Sequence, residues 1–203
     1  VKIARRAFIV GITLAASARA DDDTDSLLAD IAKARKPIKS LRADLTQERK
    51  LTLLATSVKS TGRLYFVTPD RLRWELAPPD DVVYWIGPEG LSFRTRSSGA
   101  TVPASGAKIG RALVDLRALV AGDLAQLRTR YTLAAARAGD EVRVTGTTKD
   151  PANTSVRGFT LVLDKTLVVP LRATLLEGKT DTIEIAFTNA AVNAAIDPAL
   201  MRP

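Results

Sequence analysis

Leu41, Ala43 and Leu45 alternate with Arg42, Asp44 and Thr46, and this period of two recurs along most of the chain. Leu64 and Phe66 alternate with Arg63 and Tyr65, and Leu72, Trp74 and Leu76 with Arg71, Arg73 and Glu75. A period of two sends successive side chains to opposite faces of a sheet, so each run predicts a half-buried strand. Val82 to Ile86 is apolar throughout, and Leu91-Ser92-Phe93 resumes the alternation. Thr68-Pro69-Asp70, Pro78-Pro79-Asp80 and Gly87-Pro88-Glu89-Gly90 supply turn chemistry between these runs. Such short spacing implies antiparallel hairpins. Later, Tyr131–Arg137 and Glu141–Thr147 flank the turn Ala138-Gly139-Asp140. Three more alternating runs follow, Phe159-Leu161-Leu163, Leu171-Ala173-Leu175 and Ile183-Ile185-Phe187.

Two stretches break the period. Leu27, Leu28, Ile31 and Ala34 mark one face of a helix that Thr24 or Asp25 can cap. Lys33, Arg35 and Lys36 load its last turn, complementing the helix dipole, and Pro37 stops it. After a Ser/Gly/Ala-rich loop from Ser97 to Gly106, Ile109, Leu113, Leu116 and Val120 repeat at helical spacing. Arg111, Asp115 and Arg117 are expected on the opposite, wet face, and a short turn from Asp123 to Leu127 continues past Gly122. The fold class is therefore mainly β, a single antiparallel sheet of about ten strands with two main helical segments. A sheet that wide curls strongly. The economical assembly is a half-barrel with the helices lying across its mouth as a lid.

On that plan Leu64, Phe66, Leu72, Trp74, Leu76, Val83, Trp85, Leu91 and Phe93 face the concave side. Leu27, Leu28, Ile31, Ile109, Leu113, Leu116 and Val120 form the underside of the lid. Either the lid fills that space as plain core, or it under-fills it and leaves an apolar cavity. The lid residues include no aromatic, which favours under-filling and a lipid-type site.

The first twenty residues read differently. Lys2, Arg5 and Arg6 precede an apolar stretch from Phe8 to Ala16, and Ala18-Arg19-Ala20 offers a small-x-small cleavage pattern. Residues 1–20 are thus expected to be a removable export signal, and 21–203 a single periplasmic domain. Arg5-Arg6 also resembles a twin-arginine signal, which leaves two export routes open. Removing that segment leaves 26 basic against 22 acidic residues, an excess of +4 where the full chain has +8. So modest an excess argues against a nucleic-acid partner.

Catalytic chemistry is thinly provided. With no His and no Cys, imidazole bases, thiol nucleophiles and the usual transition-metal ligands are missing. No G-x-S-x-G or S-x-x-K stands on a suitable strand-to-helix turn, and the glycines form neither G-x-G-x-x-G nor a Walker motif. The Asp21-Asp22-Asp23 run is expected to be a solvated end and not a metal site. A non-enzymatic protein without cofactor or metal is the expectation.

The segment Gly62-Arg63-Leu64-Tyr65-Phe66-Val67-Thr68-Pro69-Asp70-Arg71-Leu72-Arg73-Trp74-Glu75 resembles the G-x-L-x-F-x-R-P-x-x-x-R-W-E/D segment of the periplasmic outer-membrane lipoprotein carriers. Those are the chaperones of the Lol lipoprotein-sorting pathway. Leu45-Thr46-Gln47 is similar to the family's earlier F-x-Q strand, and Phe187–Asn193 with Asp197–Met201 to its final strand and tail. The resemblance implies an incomplete antiparallel β-barrel of 10 to 11 strands, with a helical lid over a cavity for lipoprotein acyl chains. It also implies a monomer that is loaded by an inner-membrane transporter and unloaded to an outer-membrane receptor. Other members of the fold carry other lipids or glycolipids, or act as non-catalytic envelope sensors, and the sequence leaves those roles open. One departure stands out. The family places a lid-latching Arg before the Pro, and this chain has Thr68, whose hydroxyl cannot supply a guanidinium's five donors.

Overall fold

The computed structural model describes the backbone at residues 13–52, 55–98, 102–103, 108–152, 154 and 156–203, and side chains from residue 23 onward, those of 101–112 excepted. The proposed n-region and most of the apolar stretch of the signal fall outside the described residues, as does the side chain of Ile109.

Eleven strands form one antiparallel sheet: β1 (Ser40–Leu51), β2 (Thr56–Val67), β3 (Arg71–Leu76), β4 (Val82–Gly87), β5 (Gly90–Thr95), β6 (Val102–Pro103), β7 (Tyr131–Ala138), β8 (Glu141–Thr148), β9 (Val156–Asp164), β10 (Pro170–Glu177) and β11 (Asp181–Val192). Their spatial order is β6-β5-β4-β3-β2-β1-β11-β10-β9-β8-β7. Each half is therefore a meander of neighbouring hairpins, and among the described residues the only non-sequential pairing joins β1 to β11. The two edges, β6 and β7, are not paired with each other, so the barrel stays open.

Among the described residues three α-helices accompany the sheet: α1 (Thr13–Arg35), α2 (Lys108–Ala121) and α3 (Leu124–Arg130). Both α1 and α3 pack on β7, whereas α2 touches β4 and β9. Those two strands stand in opposite halves of the order. One helix can reach both only because the sheet curls, and α2 spans the mouth.

Helix α1 starts well before the expected cap. It runs unbroken through Asp21-Asp22-Asp23 from an alanine-rich stretch, Ala15 to Ala20, whose residues are strong helix formers. Asp25 is not a cap; its carboxylate pairs with Arg128 of α3. The C-terminal end falls where Pro37 predicts, with Ile38 N–H donating to the Arg35 carbonyl at 3.0 Å.

Gly62 explains why the motif opens on glycine. A Cβ there would run into the backbone carbonyl of Glu75, so a side chain would push β2 and β3 apart. Close approach at this point sets the register Gly62↔Leu76, Leu64↔Trp74 and Phe66↔Leu72.

Candidate functional site

Register decides which side chains face the lid. Leu64, Trp74, Tyr84 and Phe93 are cross-strand partners in succession, as are Phe66, Leu72, Ile86 and Leu91. Residues directly opposite one another point to the same face. These two rows, with Leu76 and Val82, line one half of the concave surface. Val142, Leu161, Ile185 and Phe187 belong to the same apolar cluster from the other half. Trp74 meets Phe187 edge-to-face, with centroids 6.2 Å apart and planes at 86°.

Val83 and Trp85 do not belong to this surface, contrary to the expectation from sequence. Trp85 lies opposite Arg73 and Ser92, and Val83 opposite Glu75 and Arg94, which puts both on the convex face. Val82, Tyr84 and Ile86 take the inward positions instead. Trp85 is still only 5% exposed, because the C-terminal 3-10 turn (Pro198–Met201) covers it. Its indole N–H donates to the Leu200 carbonyl at 2.9 Å, and the Arg73 and Arg94 guanidinium groups lie 5.1 and 5.2 Å from its ring centroid. Arg73 Nη1 reaches the same carbonyl at 3.2 Å. So the second tryptophan anchors a tail on the outside.

The lid underside contains Leu27, Leu28 and Ile31 of α1 and Leu113, Leu116 and Val120 of α2, joined by Leu119 and by Leu124 and Leu127 of α3; all are buried. Leu64, Phe66, Leu72 and Trp74 beneath them are at most 2% exposed. A side chain facing a void wide enough for water would keep accessible area of its own. The lid therefore fills this part of the concave face, and the under-filling expected from its lack of aromatics is not seen there. Flexible Leu side chains pack a curved apolar floor as well as rings do. Tyr84, Leu91, Phe93 and Val114 are only partly buried, so the cover thins toward β4 and β5.

Few polar bonds fasten the lid among the described residues, and they sit at identifiable points. Asp115 of α2 was expected in water, yet it is 3% exposed. The Tyr131 hydroxyl donates to its Oδ2 at 2.6 Å, and Arg130 pairs with its Oδ1. This pairing makes burial of the carboxylate tolerable. Arg117 Nη1 of α2 donates to the Asp70 carbonyl at 3.4 Å, in the turn between β2 and β3. Arg35, expected to load the last turn of α1 and complement its dipole, is only 3% exposed. Its Nη1 donates to the Val120 carbonyl and its Nη2 to the Val168 carbonyl at 2.9 Å. Burial lowers the Arg35 pKa to about 10, against an opposing pull from Asp164, so the group stays protonated at neutral pH.

Thr68 does not latch the lid. Its Oγ1 donates to the Lys39 carbonyl at 3.2 Å, and its N–H to the same oxygen at 3.0 Å, so both bonds stay at the strand ends. The bond that joins this turn to the lid runs the other way, from the Arg117 side chain to the carbonyl of Asp70.

No group of three metal-ligating side chains occurs among the described residues, and no described helix is long and apolar enough to cross a membrane. What the geometry offers is a covered apolar surface. A family model for the outer membrane lipoprotein carrier protein LolA matches residues 36–202. The chain belongs to that family.

Solved structures agree on the fold of this lipoprotein-carrier family member. A DUF1329 family protein from Desulfovibrio piger superposes with a TM-score of 0.54 at 9% identity, over 88% of this chain and 97% of that one. An uncharacterized conserved protein from Thermus thermophilus gives 0.52 at 11% identity, over 88% and 93%. The MucA/MucB complex of Pseudomonas aeruginosa gives 0.51 at 20% identity, over 89% of this chain but 61% of that one. A comparison with curated protein sequences found no significant match. Family membership begins at Lys36, so the model's match leaves α1 aside and takes in α2, α3 and the whole sheet.

Proposed function

We propose that this chain is a periplasmic carrier that shields acyl chains of lipoproteins between its concave sheet face and its helical lid, on the way from the inner to the outer membrane. The observation that carries the reading is a continuous apolar sheet face covered by helices held at a few polar points, in a chain of the lipoprotein-carrier family. Transfer on this reading is reversible and non-covalent. An inner-membrane transporter loads the carrier and an outer-membrane receptor competes for the cargo.

Magnitudes support exchange of lid for cargo. Each buried CH₂ contributes about 0.8 kcal/mol, so a dozen are worth about 10 kcal/mol. Displacing Leu113, Leu116 and Val120 from the floor costs about 1.5–3 kcal/mol each. One acyl chain of that length therefore matches or exceeds what these three side chains of α2 give up. Entry at the thinner cover over Tyr84, Leu91 and Phe93 disturbs the fewest buried groups.

The two tryptophans sit on opposite faces and make the test internal. Trp85→Phe leaves Trp74 under the lid, and Trp74→Phe leaves Trp85 outside. A lipopeptide with brominated acyl chains is expected to quench Trp74 emission and to spare Trp85, because bromine quenches only at close contact. Equal quenching of both, or quenching of Trp85 alone, would rule out the concave face as the acyl site. Mass spectrometry of lipid that co-purifies with the protein separates lipoprotein cargo from a free lipid or glycolipid.

A further inference from the structure

We infer that Arg49, on the concave face near the turn between β1 and β2, forms with Gln47 and Tyr84 a subsite for an anionic group, a carboxylate or phosphate carried at the polar end of an acyl chain. The inference rests on the carrier reading, in which acyl chains lie along this face, and adds the chemistry that recognises their head.

Register puts the guanidinium inside. Leu41, Ala43, Leu45, Gln47 and Arg49 share one face of β1, and the first three belong to the buried apolar cluster. Arg49 lies opposite Val58 of β2 and Ile183 of β11. Ile183 lies opposite Leu175, and Leu175 opposite Phe159. These neighbours are all apolar, so a charge stands where the sheet buries hydrocarbon. Gln47, one step further in, lies opposite Ser60 and Ile185 and is only 4% exposed.

These polar groups have no partner inside the fold. Arg49 Nε is buried and unbonded. Among the described residues, neither the Arg49 guanidinium, the Gln47 amide nor the Tyr84 hydroxyl makes a hydrogen bond or ion pair. Asp80 does not fill the gap, because its Oδ2 accepts from Ser60 Oγ at 2.6 Å and it forms no ion pair with Arg49. Tyr84 feels both charges. Burial raises its pKa, Arg49 pulls it down and Asp80 pushes it up, so its hydroxyl lies within electrostatic reach of the guanidinium across the concavity.

Buried polar groups are normally satisfied, and taking a guanidinium partly out of water is costly without an acceptor. Its planar fork of donors suits carboxylate or phosphate oxygens, and an amide N–H and a phenol O–H add neutral donors. An arginine that only snorkelled to water would not explain the unbonded amide buried beside it. Tyr84 is half-buried where the lid cover thins, and its cross-strand partners inward are Trp74 and then Leu64. A head held here leaves its chain on that floor.

Isothermal titration calorimetry on the full chain compares dodecyl phosphate, dodecanoate and dodecanol at submicellar concentration. The two anions are expected to bind about 10- to 100-fold more tightly than the alcohol, and Arg49→Met is expected to abolish that preference. Arg49→Lys keeps the charge without the fork and should fall between the two; it also carries the test if the Met variant does not fold. Because Arg49 has no partner to lose, the ligand-free Met variant is expected to melt no lower than the unmodified chain. A clearly lower midpoint would mark Arg49 as structural support and overturn the site. Equal binding of anions and alcohol, or a preference that survives Arg49→Met, overturns it too. Inorganic phosphate alone is expected not to bind, and binding as tight as that of dodecyl phosphate would replace the acyl-head subsite with a free-ion site. Lipopeptides with Asp or Asn beside the acylated residue identify the source of the anion: an Arg49-dependent preference for Asp assigns it to a lipoprotein, and its absence, with the dodecyl preference intact, to a free lipid. The carrier reading fails separately, if no acyl compound, charged or neutral, binds at all.

Discussion

Removing one oxygen from Tyr131 is a clean probe of how the lid is held. In Tyr131→Phe the ring keeps its edge-to-face contact with Phe159, whose centroid is 5.2 Å away, and only the hydroxyl is lost. That hydroxyl donates to Asp115 at 2.6 Å inside the fold, and Arg130 still pairs with the other carboxylate oxygen. A hydrogen bond to a charged group is worth about 1.5–3 kcal/mol, and Asp115 is too buried for water to replace the lost donor. Tyr131→Phe should therefore cost about 2 kcal/mol. For a domain of this size a urea m-value of about 2 kcal/mol/M makes that a fall of about 1 M in the midpoint. Equilibrium urea unfolding followed by far-UV circular dichroism measures it, and Asp115→Asn with the double variant closes a mutant cycle. If the hydroxyl acts through Asp115, the cycle returns a coupling of at least about 1 kcal/mol. A midpoint shift under about 0.2 M, or additive single effects, would refute the assignment of Asp115 as the buried anchor of α2.

Three further outcomes follow from particular contacts. Thr68→Ala should change stability by no more than about 0.5 kcal/mol and leave acyl-probe kinetics unaltered, since its hydroxyl bonds only Lys39 at an exposed strand end; a large kinetic change would restore a latch role at this turn. Truncation after Asn193 removes the Leu200 carbonyl from Trp85, so in a Trp74→Phe background the emission should shift to the red and iodide quenching should rise, both read by steady-state fluorescence. Gly62→Ala should destabilise by about 2 kcal/mol or more in thermal unfolding, because the new methyl meets backbone and no flexible side chain could yield to it.

How much of this was legible in the sequence depended on whether polarity alternated. In β3 the order Arg71-Leu72-Arg73-Trp74-Glu75-Leu76 fixes the phase, and the structure buries each apolar residue on the inner side. In β4 the run Val82-Val83-Tyr84-Trp85-Ile86 has no polar residue to set the phase, and choosing Val83 and Trp85 put the wrong set inside. The signal that could have corrected it lay in the neighbouring strand. With Trp74 inward and a turn at Pro78-Pro79-Asp80-Asp81, pairing Leu76 with Val82 forces Tyr84 and Ile86 to follow. Asp115 and Arg35 were missed for another reason. A charged residue on an amphipathic helix reads as wet unless its partner is known, and these partners are the hydroxyl of Tyr131 and two backbone carbonyls. Backbone acceptors at a distant helix end leave no mark on composition or periodicity.

The division of labour in the lid follows from the same contrast. Apolar contacts are not directional, so on the proposed function an acyl chain would stand in for Leu113, Leu116 and Val120 against the floor of Leu64, Phe66 and Trp74 with little net change. The bonds at Asp115, Arg117 and Arg35 have no such substitute, because a hydrocarbon chain offers neither donors nor acceptors. On the proposed function, cargo therefore competes with the apolar underside of the lid and not with its polar fasteners. On that reading those bonds define the closed position to which the lid returns when cargo leaves. A lid held by more leucine alone would bind the floor more tightly and still lack a defined closed position. A few buried polar pairs over an exchangeable apolar surface give the lid that position, and each pair that opening breaks adds a cost that cargo does not return.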